Sequence, residues 1–61
     1  GGKNKMAKYE IKHRSGKKPT RVNATSNYDA LKKINRIRRK RYGKDFPLTT
    51  RKGIVSIRRK K

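Results

Sequence analysis

The sequence predicts a small α+β domain in which three antiparallel strands, in the order 2-1-3, carry one helix on one face. Two short segments alternate between apolar and polar residues, as half-buried strands do. A longer amphipathic segment follows them, with helix signals at both ends. A β-branched run near the C-terminus completes a ββαβ order, and a compact arrangement of that order places the third strand beside the first.

The first two strands are predicted over residues 7–14 and 20–25. Because side chains alternate between the faces of a strand, one set from each should face the core. In the first strand this set is Ala7, Tyr9, Ile11 and His13, and Lys8, Glu10, Lys12 and Arg14 point outward. In the second it is Thr20, Val22 and Ala24, and Arg21, Asn23 and Thr25 point outward. The segment SGKKP between them is typical of a hairpin loop.

The helix is predicted from about Asn27 to Tyr42. Ser26 suits the N-cap, and Asp29 takes the place of Glu in a variant of the capping box. Gly43 suits the position after the helix, where a positive φ is needed. At 100° per residue, one half of the helix carries Tyr28, Ala30, Leu31, Ile34, Ile37 and Tyr42.

Pro47 and Gly53 mark the segment after the helix as a loop, with Phe46 and Leu48 folding back over the core. The third strand begins at Ile54, and the final RRKK is predicted to be a basic tail that frays without a partner. The predicted core is Tyr9, Ile11, Val22, Ala24, Leu31, Ile34, Ile37, Val55 and Ile57.

The domain organisation is correspondingly simple. Met6 followed by AKYEIK has the pattern of a natural start, so residues 1–5 are expected to be an expression-derived or disordered extension. Residues 6–59 are expected to form a single, monomeric, basic nucleic-acid-binding domain, and residues 60–61 to end the basic tail. A chain of 61 residues with 28% hydrophobic residues can bury only a small core.

The charge balance points to a polyanionic partner. The chain has 22 Lys and Arg against three acidic residues, a formal net charge of +19. A polyanion relieves the resulting self-repulsion, since Lys and Arg replace its condensed counterions. Solvated protein surfaces usually mix both signs of charge, and this chain does not. Nucleic acid is therefore the predicted partner.

Enzymatic chemistry is not indicated. The chain has no Cys and one His, and its three acids lie on a strand, at a helix start and in a loop. Paired carboxylates, catalytic triads and metal sites all need combinations of residues that this composition lacks. The prediction is a non-enzymatic protein without a metal or another cofactor.

No apolar run approaches the roughly 18 residues of a membrane span, and no apolar signal-peptide core is present. An amphipathic helix could lie on an anionic membrane, but here the sheet needs its apolar stripe. The expected location is the cytoplasm, including association with the nucleoid.

Two surfaces compete as the nucleic-acid interface. The outer face of the helix could enter a DNA groove, or the outer face of the sheet could do so with the helix as support. The helix contributes Lys32, Lys33, Arg36, Arg39 and Lys40. The strands contribute Lys8, Lys12, Arg14, Arg21, Asn23, Arg58 and Arg59.

The type of nucleic acid that the sequence predicts depends on whether aromatic side chains are exposed. Proteins that bind single strands usually expose aromatic side chains for stacking. The three tyrosines are predicted to face the core, which favours duplex DNA bound through phosphates with low or modest sequence specificity. A structured RNA such as ribosomal RNA is the second hypothesis. An acidic surface of a larger protein, such as a host polymerase or nuclease, is the third.

Overall fold

The computed structural model describes residues 5–60, which form three strands and one helix. Strand β1 is Ala7–His13, strand β2 is Thr20–Ala24, helix α1 is Asn27–Tyr42 and strand β3 is Ile54–Lys60. The strands form one antiparallel sheet in the order β2-β1-β3, and α1 packs on one face of it. The predicted fold class is confirmed. Residues 1–4 of the predicted extension lie outside the described range.

Helix α1 begins and ends where its sequence signals predict. Ser26 is extended, and its Oγ accepts a hydrogen bond from the Asp29 N–H at 3.1 Å. The Asp29 carboxylate accepts from the N–H of Thr25 at 3.0 Å, one residue before the N–H that a capping box uses. Gly43 has a φ of +112°, and its N–H donates to the Arg39 carbonyl at 2.8 Å. The positive φ predicted there is confirmed.

The core lies between the sheet and the first nine residues of α1. It contains Tyr9, Ile11, Ala24, Ala30, Leu31, Ile34 and Ile57, with Val22 partly buried against them. The buried residues of α1 all fall between Ala30 and Asn35. The prediction of Ile37 as a core residue is wrong, since its side chain lies beyond this buried segment and is 53% exposed.

A bulge in β3 changes the orientation of one predicted core residue. Lys12 pairs with Ser56 and His13 pairs with Ile54, so Val55 is an extra residue between the two pairs. Val55 is 62% exposed, whereas Ile54 packs against the core. The prediction that Val55 faces the helix is wrong because strict alternation does not continue through a bulge.

Two tyrosines of the predicted apolar stripe are exposed. Tyr28 is 58% exposed and Tyr42 is 61% exposed. They lie near the two ends of α1, outside the segment that faces the sheet. The Lys32 Nζ lies 5.6 Å from the ring centroid of Tyr28, and Tyr42 stacks on Phe46 instead of the core. The prediction that these two tyrosines face the core is wrong.

Strand β3 extends through residues that were predicted to be a basic tail. Residues 58–60 pair with residues 8–10 of β1 up to the end of the described range. The prediction that residues 58–60 are a tail outside the sheet is therefore wrong, since they belong to β3, and the fraying of the chain end stays a prediction. Lys61 lies outside the described residues. Helix α1 is too short and too polar to cross a membrane, and the structure describes no other helix in residues 5–60.

Candidate nucleic-acid interface

The outer face of the sheet brings together cations from all three strands. Helix α1 covers the opposite face, where Tyr9 and Ile11 are buried, so the residues that alternate with them face solvent. Side chains at paired positions lie side by side on one face. The resulting cross-strand rows are Asn23–Lys8–Lys60, Arg21–Glu10–Arg58 and Lys12–Ser56. Five of the seven predicted strand residues thus share one surface.

The other two predicted strand residues lie elsewhere. Arg14 follows β1 in the exposed turn, where its N–H donates to the Gly53 carbonyl at 2.9 Å. Its side chain is exposed at the end of the sheet. Arg59 pairs with Tyr9, which places its side chain on the helix side of the sheet. Arg59 is therefore separated from the outer face.

A single carboxylate lies in the middle of this cationic face. Glu10 is within 3.6 Å of the Arg21 Nε and within 3.8 Å of the Lys60 Nζ, and its side chain is 16% exposed. The two cations are themselves largely exposed, at 62% for Arg21 and 47% for Lys60, so they can contact a phosphate while they stay near Glu10. Turning both away would leave a largely buried carboxylate unpaired, which is costly.

The helix side chains predicted to bind nucleic acid divide into two groups. Arg36 and Lys40 are exposed, and Lys32 is half-buried beside Tyr28. Lys33 instead connects α1 to β2, since its Nζ donates to the Asn23 carbonyl at 2.7 Å. It also lies 3.5 Å from the Asp29 carboxylate.

Three helix side chains hold the loop of residues 44–53. Asn35 is fully buried, and its Nδ2 donates to the carbonyls of Leu48 and Thr50 at 2.7 and 2.9 Å. Arg38 and Arg39 each donate to one further loop carbonyl at 2.7 Å. The accepting carbonyls belong to residues 46, 48, 50 and 52. Every second carbonyl of this segment thus points to α1. The prediction that Phe46 and Leu48 fold back over the core is wrong, since neither packs against it and Phe46 stacks on the exposed Tyr42.

This role was not predicted for any of the three side chains. The only sequence signal is that Asn35 lies one turn after Leu31, at a position that would suit an apolar residue. Arg39 was predicted to bind nucleic acid, and in the structure it donates a hydrogen bond to the Phe46 carbonyl. Part of the basic tract therefore stabilises the fold.

A cleft of about 280 Å³ lies between the C-terminal half of α1 and the turn that joins β1 to β2. Ile37, Arg41 and Tyr42 line it from the helix, and His13 and Lys17 line it from the other side. The sequence gives no indication of this cleft, because its walls come from segments that are distant along the chain.

His13 has a defined role in one wall of the cleft. Its Nε2 lies 2.7 Å from the Thr20 Oγ1, within hydrogen-bond distance. Burial lowers the pKa of His13 below 6.5, and the charges of Lys17 and Arg38 lower it further. The neutral imidazole is therefore favoured at neutral pH.

Exposure of Tyr28 and Tyr42 affects the choice of ligand. The preference for a duplex rested on a shortage of exposed aromatic side chains, and that shortage is not present in the structure. Tyr42 in particular lines the cationic cleft, with Phe46 stacked on its ring at a centroid distance of 5.3 Å. Stacking on an unpaired base is therefore sterically feasible.

Within residues 5–60, no three His, Cys, Asp or Glu side chains form a group that could hold a metal ion. Comparisons with models of protein families, with curated protein sequences and with solved structures found no match to this chain.

Proposed function

We propose that this protein is a non-enzymatic nucleic-acid-binding protein that holds a duplex through phosphate contacts from the outer face of its sheet. Duplex DNA is the first ligand to test, and sequence specificity is expected to be low or modest. The supporting observation is a cationic surface assembled from three strands around one carboxylate, that of Glu10. The cytoplasm, including the nucleoid, is the compartment that suits such a ligand.

The charges of the described residues support a polyanionic ligand. In residues 5–60, Arg21, Lys33 and Lys60 form ion pairs with carboxylates, and the other Lys and Arg side chains lie beyond 4 Å of any described carboxylate. Most of the positive charge is thus not compensated within this part of the molecule. Phosphates would reduce the repulsion and release counterions from the nucleic acid.

The sheet is comparable in width to the major groove of duplex DNA. Adjacent strands lie about 4.8 Å apart, so three strands together are about 14 Å across. The major groove of B-DNA is about 12 Å wide and admits a two-stranded ribbon. Asn23 and Arg21 lie on an edge strand of this face, where they could reach base edges and provide modest specificity.

Salt dependence provides the first test. Six cations lie on this face or at its end: Lys8, Lys12, Arg14, Arg21, Arg58 and Lys60. Six phosphate contacts would give a slope of about −5 in a plot of log K against log salt concentration. Fluorescence anisotropy with a labelled DNA duplex, between about 50 and 200 mM salt, measures this slope. A flat slope, or no binding at low salt, would contradict the proposal.

Two matched triple variants then compare the surfaces. Lys8, Lys12 and Arg58 on the sheet are changed to Gln, as are Lys32, Arg36 and Lys40 on the helix. None of these six forms an ion pair among the described residues. The sheet variant should reduce the slope by about 3 and weaken binding on the order of 100-fold at 0.1 M salt. A larger loss in the helix variant would identify the helix as the interface.

A change of opposite sign provides an internal control. Glu10→Gln removes the negative charge between Arg21 and Lys60, so it should strengthen binding if phosphates lie over this face. Unchanged affinity would place the ligand elsewhere.

The third hypothesis, an acidic protein surface, has its own test. It would be supported by a partner that is captured from lysate after nuclease treatment, if the pure protein does not bind nucleic acid.

Structured RNA is the second candidate, and the exposed ring of Tyr42 is the observation that favours it. Duplex RNA is recognised largely by shape and backbone, and unpaired bases in RNA can stack on aromatic side chains. Tighter binding to an RNA hairpin than to a DNA duplex of equal length and charge would support this candidate.

A further inference from the structure

We propose that the cleft beside Tyr42 binds one unpaired nucleotide, with the base stacked on the tyrosine ring and the phosphate held by Arg41 and Lys17. This inference rests on the proposed nucleic-acid ligand, and it adds a second site to the outer face of the sheet. The site recognises a planar aromatic group that is joined to a negatively charged phosphate.

The size of the cleft suits one nucleotide. Pockets for small molecules usually have volumes of roughly 300–1,000 Å³, and this cleft, at about 280 Å³, lies just below that range. A single planar group can enter it, whereas a duplex cannot. The ligand must therefore be a free nucleotide or one that has left the base stack of a longer nucleic acid.

The apolar surface of the cleft is unusual for such a polar protein. Ile37 and Tyr42 both line it, and they are 53% and 61% exposed. Exposed apolar side chains inside a concave, polar-rimmed site are characteristic of ligand pockets. A base that lies against both side chains would cover apolar surface that is now in contact with water.

The tyrosine ring is already held in place before any ligand binds. Phe46 stacks on it with an interplanar angle of 26°, and the Arg38 guanidinium lies 4.7 Å from the Phe46 ring centroid. Arg38 in turn donates hydrogen bonds to the buried Asn35 and to the Lys52 carbonyl. Because these contacts connect the ring to the core, stacking a base on it costs little conformational entropy.

The charge of the cleft selects an anion. Lys17, Arg38 and Arg41 line it, and its lining contains no acidic side chain. Neutral His13 adds a polar group that can donate or accept a hydrogen bond, depending on its tautomer. An aromatic wall next to several cations matches a base joined to a phosphate better than it matches a neutral aromatic molecule.

The test compares two duplexes of about two helical turns that differ only by one bulged nucleotide, each made in DNA and in RNA. The protein should bind the bulged duplex about 5-fold more tightly or better, since stacking on an aromatic side chain provides at least that much. Tyr42→Ala should remove this preference and keep the affinity for the perfect duplex. Tyr42→Phe should retain it.

Fluorescence of 2-aminopurine at the bulge provides a direct signal for stacking. It should be quenched by the parent protein and by Tyr42→Phe, and not by Tyr42→Ala. Replacing Arg41 and Lys17 with Gln should weaken the bulged complex more than the perfect one, which tests the site without changing the aromatic stack. Tyr42 is the last helical residue and is mostly exposed, so circular dichroism should show that the alanine variant remains folded.

Equal affinity of the parent protein for the two duplexes together with no chemical-shift change at the cleft on addition of adenosine monophosphate, or a bulge preference that survives Tyr42→Ala, would overturn the inference and leave the proposed function standing. Absence of binding to every nucleic acid would overturn both.

Chemical shifts of the cleft residues on addition of adenosine monophosphate distinguish the two sources of the nucleotide, a free nucleotide and an unstacked nucleotide of a longer nucleic acid. Shifts at the cleft with this free nucleotide and no bulge preference would assign the cleft to a small molecule.

Discussion

Replacement of the buried Asn35 with Ala is the most demanding test of how this small domain is held together. Asn35 is fully buried and takes part in three hydrogen bonds: two from its Nδ2 to the carbonyls of Leu48 and Thr50, and one from Arg38 to its Oδ1. Each intramolecular hydrogen bond contributes about 0.5–1.5 kcal/mol net, and a buried partner left unpaired costs more. The expected loss is therefore about 3 kcal/mol.

This loss is large for a chain of this size. A domain of 61 residues has a free energy of unfolding of about 3–9 kcal/mol. Each kcal/mol corresponds to roughly 4–8 °C in Tm for so small a domain, so Tm should fall by about 12–24 °C. Thermal and urea denaturation followed by circular dichroism measure both quantities.

Arg36→Ala is the matched control, because Arg36 is the next residue of the same helix and its side chain is exposed. Its expected effect is within about 0.5 kcal/mol. Asn35→Asp keeps the size of the side chain but turns a carboxylate toward two carbonyls, so it should destabilise at least as much as Ala. If Asn35→Ala were no more destabilising than Arg36→Ala, the loop would not depend on this residue and the reasoning would be refuted.

Two further changes test single contacts. Gly53→Ala should destabilise the fold by about 1–2 kcal/mol in urea denaturation, since φ is +77° and the new Cβ would lie 3.1 Å from the Arg38 Nη2. Gly16→Ala, at a φ of +84° with open space around it, should cost less, and equal losses would contradict the contact argument. The lowered pKa of His13 predicts that Tm falls as pH drops below 6.5, because the unfolded state takes up the proton first. His13→Gln should reduce this pH dependence, and an unchanged profile would exclude His13 as its source.

The sequence by itself determined the secondary structure and the topology. Alternation in the first two strands, the Ser26 and Gly43 signals and the β-branched third strand all carry local information, and the structure has the elements they predict. The order 2-1-3 followed from packing one helix on a short sheet. The shared outer face of β1 and β2 followed as well, because the two-residue period of a strand assigns each side chain to a face.

Only the tertiary structure decided how far burial extends. The helical period correctly groups Ile37 and Tyr42 with Leu31, but it contains no information about where the sheet stops covering the helix. The bulge that turns Val55 outward is likewise a property of how β3 pairs with β1. The first effect exposes Ile37 and Tyr42, which line the cleft, and the second exposes Val55.

The basic tract of the helix shows the same division. Its charge and its amphipathic pattern can be read from the sequence, and the role of Arg38 and Arg39 in holding the loop cannot. Both bind backbone carbonyls, and every residue has a carbonyl, so no residue type in the loop marks the partner. Position relative to the folded loop, and not residue type, separates the cations that stabilise the fold from those that remain available to a ligand.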